Sequence, residues 1–216
     1  MPAMEEIMLS TPTLQADQTC PLALQTLQQS GRSSLPVVST DGRYVGMLSE
    51  NDCWSASPSD LCADVCRRVE AMQADEPLTT LARLFAEQDT DTVAVMDRNG
   101  VVVGCADRQQ TLKALSHMLA TDEMGCNISV RVHTADFELT RIVSIVEQTG
   151  AKLLSMVTER SVDFVVITIK TNQLDALPII ESLERFGYET MFWDQKSQYI
   201  DSLRRNYNEL MKYVEM

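Results

Sequence analysis

The chain has 216 residues, 44% of them hydrophobic, and its 31 acidic against 18 basic side chains give a formal charge of −13. A globule of this size buries roughly 70% of its unfolded surface, so a sizeable core is available, and with only 8 Gly and 7 Pro a long disordered or collagen-like region is excluded. The negative charge repels a phosphate backbone and no Lys/Arg-rich stripe offsets it, which argues against nucleic acid as the main partner.

No run approaches the ~20 apolar residues of a membrane helix. The opening Met-Pro-Ala-Met-Glu-Glu carries acid where a signal peptide carries base, so a cytoplasmic protein is expected. In that reducing compartment Cys20, Cys53, Cys62, Cys66, Cys105 and Cys126 read as free, mostly buried thiols.

In chain order, a short strand is expected near residues 7–10, then an internal repeat dominates. Residues 31–54, GRSSLPVVSTDGRYVGMLSENDCW, align without a gap to residues 89–112, DTDTVAVMDRNGVVVGCADRQQTL, at an offset of 58. Each copy has two β-rich runs around Asp41-Gly42 or Asn99-Gly100, a strong hairpin signal because these residues tolerate the positive φ of a tight turn. Upstream, Ala23, Leu24 and Leu27 match Leu81, Ala82 and Phe85 on one helix face. Downstream a further helix follows, clearest over 111–119. Each unit therefore reads helix–strand–strand–helix, and two such units should pack face to face because neither has much core alone.

After Asp122-Glu123 the pattern changes. Residues 128–132 alternate as a strand, and Leu139, Ile142, Val143, Ile145 and Val146 have helical spacing before a C-capping Gly150. Residues 153–157 and 164–169 predict two strands around a polar turn at Glu159-Arg160-Ser161. A helix over 174–186 and a strand over 189–193 complete a βαββαβ order, which predicts an α+β layer of helices on one sheet face. Pro178 sits near the start of that helix, where it is tolerated. In the last segment Ile200, Leu203, Tyr207, Leu210 and Val214 step 3, 4, 3, 4, the mark of an amphipathic helix that would dock on a partner subunit or on the chain's own domains.

Ser34-Leu35-Pro36 and Gly46-Met47-Leu48-Ser49-Glu50-Asn51-Asp52 resemble the CBS domain, whose pattern includes a Ser/Thr-apolar-Pro step and Gly-h-h-Ser/Thr-x-x-Asp. A pair of such units is similar to a Bateman module, which implies an adenosine-containing ligand between them. The βαββαβ segment resembles an ACT domain, which implies small regulatory ligands such as amino acids. The tandem is similar to the acetoin-utilisation-type regulatory proteins. The resemblance implies an α+β fold: CBS domains over 1–60 and 61–123, an ACT-like domain over 124–194, and a terminal helix over 195–216.

The residues of the first unit suit a nucleoside independently of the resemblance. Asp52 can accept from both vicinal ribose hydroxyls. Ser49, one turn earlier, can donate to a phosphate oxygen beside helix N–H groups. The strand around Leu35-Pro36-Val37 offers a wall for the base. The candidate nucleotide-binding set is thus Ser34, Leu35, Pro36, Ser49 and Asp52, although Ser49-x-x-Asp52 equally serves as a capping box. The second unit has Ala94, Asp107 and Gln110 at the places of Pro36, Ser49 and Asp52. Asp107 caps a helix well but repels phosphate, so one nucleotide per chain at most is expected. Arg32, Arg43, Arg67, Arg68 and Arg108 could supply counter-charge. Residues 1–57 hold six acids and two bases, which penalises a triphosphate more than AMP or a neutral-tailed adenosine compound.

In the ACT-like part the turn His133-Thr134-Ala135-Asp136-Phe137-Glu138-Leu139 lacks the Pro and Gly of the family's ligand turn. A structural or dimerising role fits it better. Zinc would need Cys62, Cys66, His117 and His133, without ligand-like pairing; no metal site or cofactor is expected. No nucleophile-elbow, Walker or zincin motif occurs. The expected protein is a non-catalytic sensor of AMP, ADP, ATP or S-adenosylmethionine, homodimeric, with a possible target protein. The alternatives are an amino-acid-responsive regulator with a structural CBS pair, and a ligand-free scaffold.

Overall fold

The computed structural model of the chain describes residues 8–194. The expected helix over 195–216 lies outside them. Two compact units divide at Leu115/Ser116.

In the first unit the repeat is visible strand by strand. One copy contains β2 (Leu14–Gln15), α1 (Cys20–Ser30), β3 (Ser34–Val38), β4 (Tyr44–Ser49) and α2 (Glu50–Ser55), followed by the one-turn α3 (Cys62–Val65). The other contains β5 (Met72–Gln73), α4 (Leu78–Glu87), β6 (Thr92–Met96), β7 (Val102–Asp107) and α5 (Arg108–Met118). In both, the first short strand runs parallel to the second, and the second pairs antiparallel with the third. The two-residue strands β2 and β5 were not expected, because two residues carry no periodicity.

The strand expected near residues 7–10 forms as β1 (Met8–Leu9), but it edges the sheet of the second copy, pairing Met8 with Ala106 and Leu9 with Cys105. The connector before β5 returns the exchange: Arg67 bridges Met47 on β4. Leu9–Cys105 and Arg67–Met47 are the same contact, 58 residues apart. Between them, at the hairpin tips, Arg43 bridges its own repeat equivalent Val101, with Tyr44 N–H donating to Gly100 O and Val102 N–H to Gly42 O. These contacts place a local two-fold axis at the tips.

Alternation decides which side chains face what. Leu35, Val37 and Leu48 pack under α1 with Cys20, Ala23 and Leu27, and with Cys53 and Cys62. Val93, Val95 and Ala106 pack under α4 with Leu78, Leu81 and Leu84. Val38 and Met47, like Ala94 and Cys105, are buried yet lie outside both clusters. They belong to the opposite sheet faces, where β3 lies against β6 and β7. The two copies therefore meet sheet to sheet.

The second unit runs β8 (Cys126–His133), a 3₁₀ turn (Thr134–Asp136), α6 (Leu139–Gln148), β9 (Leu153–Arg160), β10 (Phe164–Thr171), α7 (Leu177–Arg185) and β11 (Glu189–Asp194). Its sheet is antiparallel in the order β11-β8-β10-β9. Ile142, Ile145 and Val146 of α6 and Ile179, Ile180 and Leu183 of α7 share one core with Ile128, Val130, Val165, Ile167 and Ile169, so both helices cover one face. Gly150 follows α6 at φ 82°. Two boundaries differ from expectation. Glu159 and Arg160 belong to β9, because its exposed end accepts polar side chains and Val165 still pairs with Arg160; the turn is Ser161-Val162-Asp163. α7 starts at Leu177, whose N–H donates to Asp175 Oδ1 at 3.0 Å, because Pro178 fits only the first turn.

Candidate functional site

The β3–β4 ladder puts Ser34 directly opposite Ser49 and Pro36 opposite Met47, and opposite residues share a sheet face. Ser34, Pro36 and Ser49 thus face the space between the copies. Leu35 faces the other way, fully buried in the core beneath α1. Ser49 closes β4 in extended conformation and caps α2. Asp52 N–H donates to Ser49 Oγ at 3.3 Å, while Ser49 N–H and Oγ–H donate to Asp52 Oδ2 at 2.9 and 2.6 Å. The capping box is therefore fully formed.

Arg67 enters from the connector between the copies. Its backbone exchanges two hydrogen bonds with Met47, at 2.8 and 2.9 Å, and its Nε lies 3.4 Å from Asp52 Oδ2. Gly46 makes room for it: a Cβ there would sit 2.7 Å from Arg67 O and 2.8 Å from Cys66 Sγ. The Asp52 side chain is 21% exposed and that of Arg67 44%. Asp52 Oδ1 takes no hydrogen bond among the described residues, and the Ser34 hydroxyl is buried without a partner. Asp52 also lines an open depression of about 300 Å³ with Ser55, Ala56, Asp60, Asp64 and Val65.

The second copy is built differently. Asp107 Oδ1 accepts from Gln109 N–H at 2.8 Å and Gln110 N–H at 3.1 Å, so it caps α5. Arg108 donates to Thr90 O and lies 3.4 Å from Asp91, which occupies its charge. A polar cleft of about 490 Å³ opens here between Arg32 and Ser33 of one copy and Asp91, Thr92, Asp107 and Gln110 of the other. Of the five candidate cations, Arg43 pairs with Asp41 at the hairpin tip, Arg32 lines this cleft, and Arg67 alone is ion-paired to Asp52 among the described residues. Sequence reasoning did not single out Arg67; its contact with Asp52 depends on an edge pairing that no local pattern encodes.

The second unit holds a cavity of about 300 Å³ where β8 meets the 3₁₀ turn, lined by Arg131, His133, Asp136, Arg141, Phe164 and Tyr188 among others. Arg131 is clamped bidentately by Glu189 and lies over the Phe164 ring. Arg141 lies over Phe186, and burial pushes the Tyr188 phenol up. Among the described residues no three His, Cys, Asp or Glu side chains are grouped to hold a metal, and no helix is long and apolar enough to cross a membrane.

Comparison with known proteins agrees with this architecture. The CBS domain family model matches residues 4–53. The CBS domain pair/ACT domain protein of Thermotoga maritima superimposes with a TM-score of 0.51 at 17% identity, over 56% of this chain and 100% of that one. The CBS domains of a transcriptional regulator from Streptococcus pneumoniae give 0.48 at 18% identity, over 51% and 97%. CBSX2 in complex with AMP gives 0.47 at 19% identity, over 52% and 94%. The fold is thus a mixed α+β fold similar to that of a CBS domain pair/ACT domain protein.

Proposed function

We propose that the chain is a non-catalytic regulatory protein of the cytoplasm whose CBS-type pair binds one adenosine-containing ligand at Ser34, Pro36, Ser49 and Asp52, with Leu35 holding the strand from behind. The observation that carries this reading is the buried, unpartnered Ser34 hydroxyl, aligned in register with Ser49 and beside a carboxylate with one oxygen unused. Leaving such a group unsatisfied costs about 1–3 kcal/mol, which a ligand hydroxyl or ring nitrogen would offset. Asp52 Oδ1 is available to a ribose, while the capping box keeps the carboxylate oriented. Ligand binding would change how the two sheets pack, by no more than its differential affinity for the two arrangements. That change would reach a target protein or a second copy of the chain. The exposed Trp54 and Leu112, at equivalent repeat positions on α2 and α5, are the proposed contact between copies.

A second reading rests on the cavity at Asp136 and Arg141. An amino acid could set its carboxylate on Arg141 and its ammonium on Asp136, which fits an ACT-type regulator of the acetoin-utilisation kind.

Thermal melting with AMP, ADP, ATP, S-adenosylmethionine and a panel of amino acids separates the readings. A ligand at 100 times its Kd stabilises by about 2.7 kcal/mol. Stabilisation by adenosine compounds supports the first reading and stabilisation by amino acids alone the second. A flat panel leaves a ligand-free scaffold.

A further inference from the structure

Resting on the adenosine reading, we infer that Arg67 selects the ligand by its tail: the compound bound in the first copy carries a phosphate, and Arg67 exchanges Asp52 for that phosphate when it binds.

Three observations lead there. The first is how Arg67 is held. Both backbone hydrogen bonds to Met47 and the close approach over Gly46 fix the main chain, while the side chain keeps 44% exposure. Only the guanidinium can move. As the edge partner of Met47 it sits on the sheet face that Ser34, Pro36 and Ser49 share. The second is the charge around it. Asp52, Asp60 and Asp64 border the neighbouring depression and Glu50 opens α2, so the surroundings of Asp52 are acidic and an anionic ligand needs a cation at the site. Arg67 is the one ion-paired to Asp52, and its planar fork suits phosphate. The third is the repeat. The position equivalent to Arg67 is Leu9, paired with Cys105, and the position equivalent to Asp52 is Gln110. The ion pair is complete in one copy and wholly absent from the other.

Arg67 shares Asp52 Oδ2 with Ser49. Ribose hydroxyls on Asp52 would replace its contribution, and the released guanidinium would meet the phosphate. Adenosine displaces the guanidinium equally but brings no anion for it, and a sulfonium-bearing tail meets a like charge.

The test is titration calorimetry of the full chain with AMP and with adenosine. Wild type is expected to bind AMP at least about tenfold tighter, the size of one charge-assisted hydrogen bond. Arg67→Ala should remove the preference, bringing AMP to the level of adenosine. If Arg67→Ala loses adenosine too, Arg67→Lys decides: a retained preference for AMP supports the inference and its absence overturns it. Equal affinities in wild type, or a preference that survives Arg67→Ala, overturn the role of Arg67 and leave the adenosine reading standing. Binding of neither compound by wild type removes that reading itself.

Discussion

At Gly46 the space of a Cβ is already taken by a carbonyl oxygen and a sulfur, at 2.7 and 2.8 Å. The carbonyl oxygen cannot withdraw without breaking the Arg67–Met47 pairing. Gly46→Ala should therefore destabilise by about 1–3 kcal/mol, measured by chemical denaturation; a change within about 0.5 kcal/mol would show that the connector does not seat there. The cysteines give a pH-dependent prediction. Burial pushes Cys53 and Cys105 up to about 11 and Cys62 to about 12, from an ordinary 9.0. Below pH 9 both folded and unfolded chains hold these protons. Above it the unfolded thiols ionise first, so stability should fall as pH rises from 9 toward 11 and 12. Below pH 9 the same thiols should resist a thiol reagent until the chain unfolds. Rapid labelling of Cys62 in the native protein would contradict the packing. Sequence spacing brought Ser49 and Asp52 together, because a capping box is local. It could not reveal that Leu35 faces the helix core, since strand register is set by a partner 13 residues away.

Caps and hairpins are where the two copies agree and also where they part. Both hairpins were readable from Asp41-Gly42 and Asn99-Gly100, because turn chemistry is carried by the turn residues themselves. Both helix starts were readable too. Ser49 and Asp107 each accept main-chain N–H groups, so Ser49→Ala and Asp107→Ala should each lower stability by about 1 kcal/mol. They should differ in function: Asp107→Ala leaves adenosine-ligand affinity unchanged and Ser49→Ala weakens it. Equal losses of affinity would put the ligand in the cleft beside Asp107 instead. The exchanged edges, β1 on β7 and the Arg67 segment on β4, escaped the sequence. Each is a two-residue contact or less, and its partner lies in the other copy.

For the whole molecule, duplication supplies two sheets that bury each other's inner faces and leaves large apolar side chains outward at matched positions, among them Trp54, 68% exposed, and Leu112, 64%. Large exposed apolar groups at matched positions suit a symmetric contact between copies. Sedimentation is expected to show a dimer that Trp54→Glu with Leu112→Glu converts to monomer; an unchanged distribution would assign the dimer, if formed, to another surface. The repeat and the βαββαβ order were legible because both are patterns along the chain. The inequality of the two half-sites was legible only as letters, Ser49 and Asp52 against Asp107 and Gln110. The structure adds that Arg67 is ion-paired to Asp52 in one copy, while Leu9 takes the equivalent edge position in the other. Counting bound AMP by calorimetry on wild type and on Asp52→Asn, which keeps a capping oxygen but loses the charge, tests that asymmetry most directly. One AMP per chain, lost in Asp52→Asn, is the predicted result; two per chain, or undiminished binding by the variant, would contradict it.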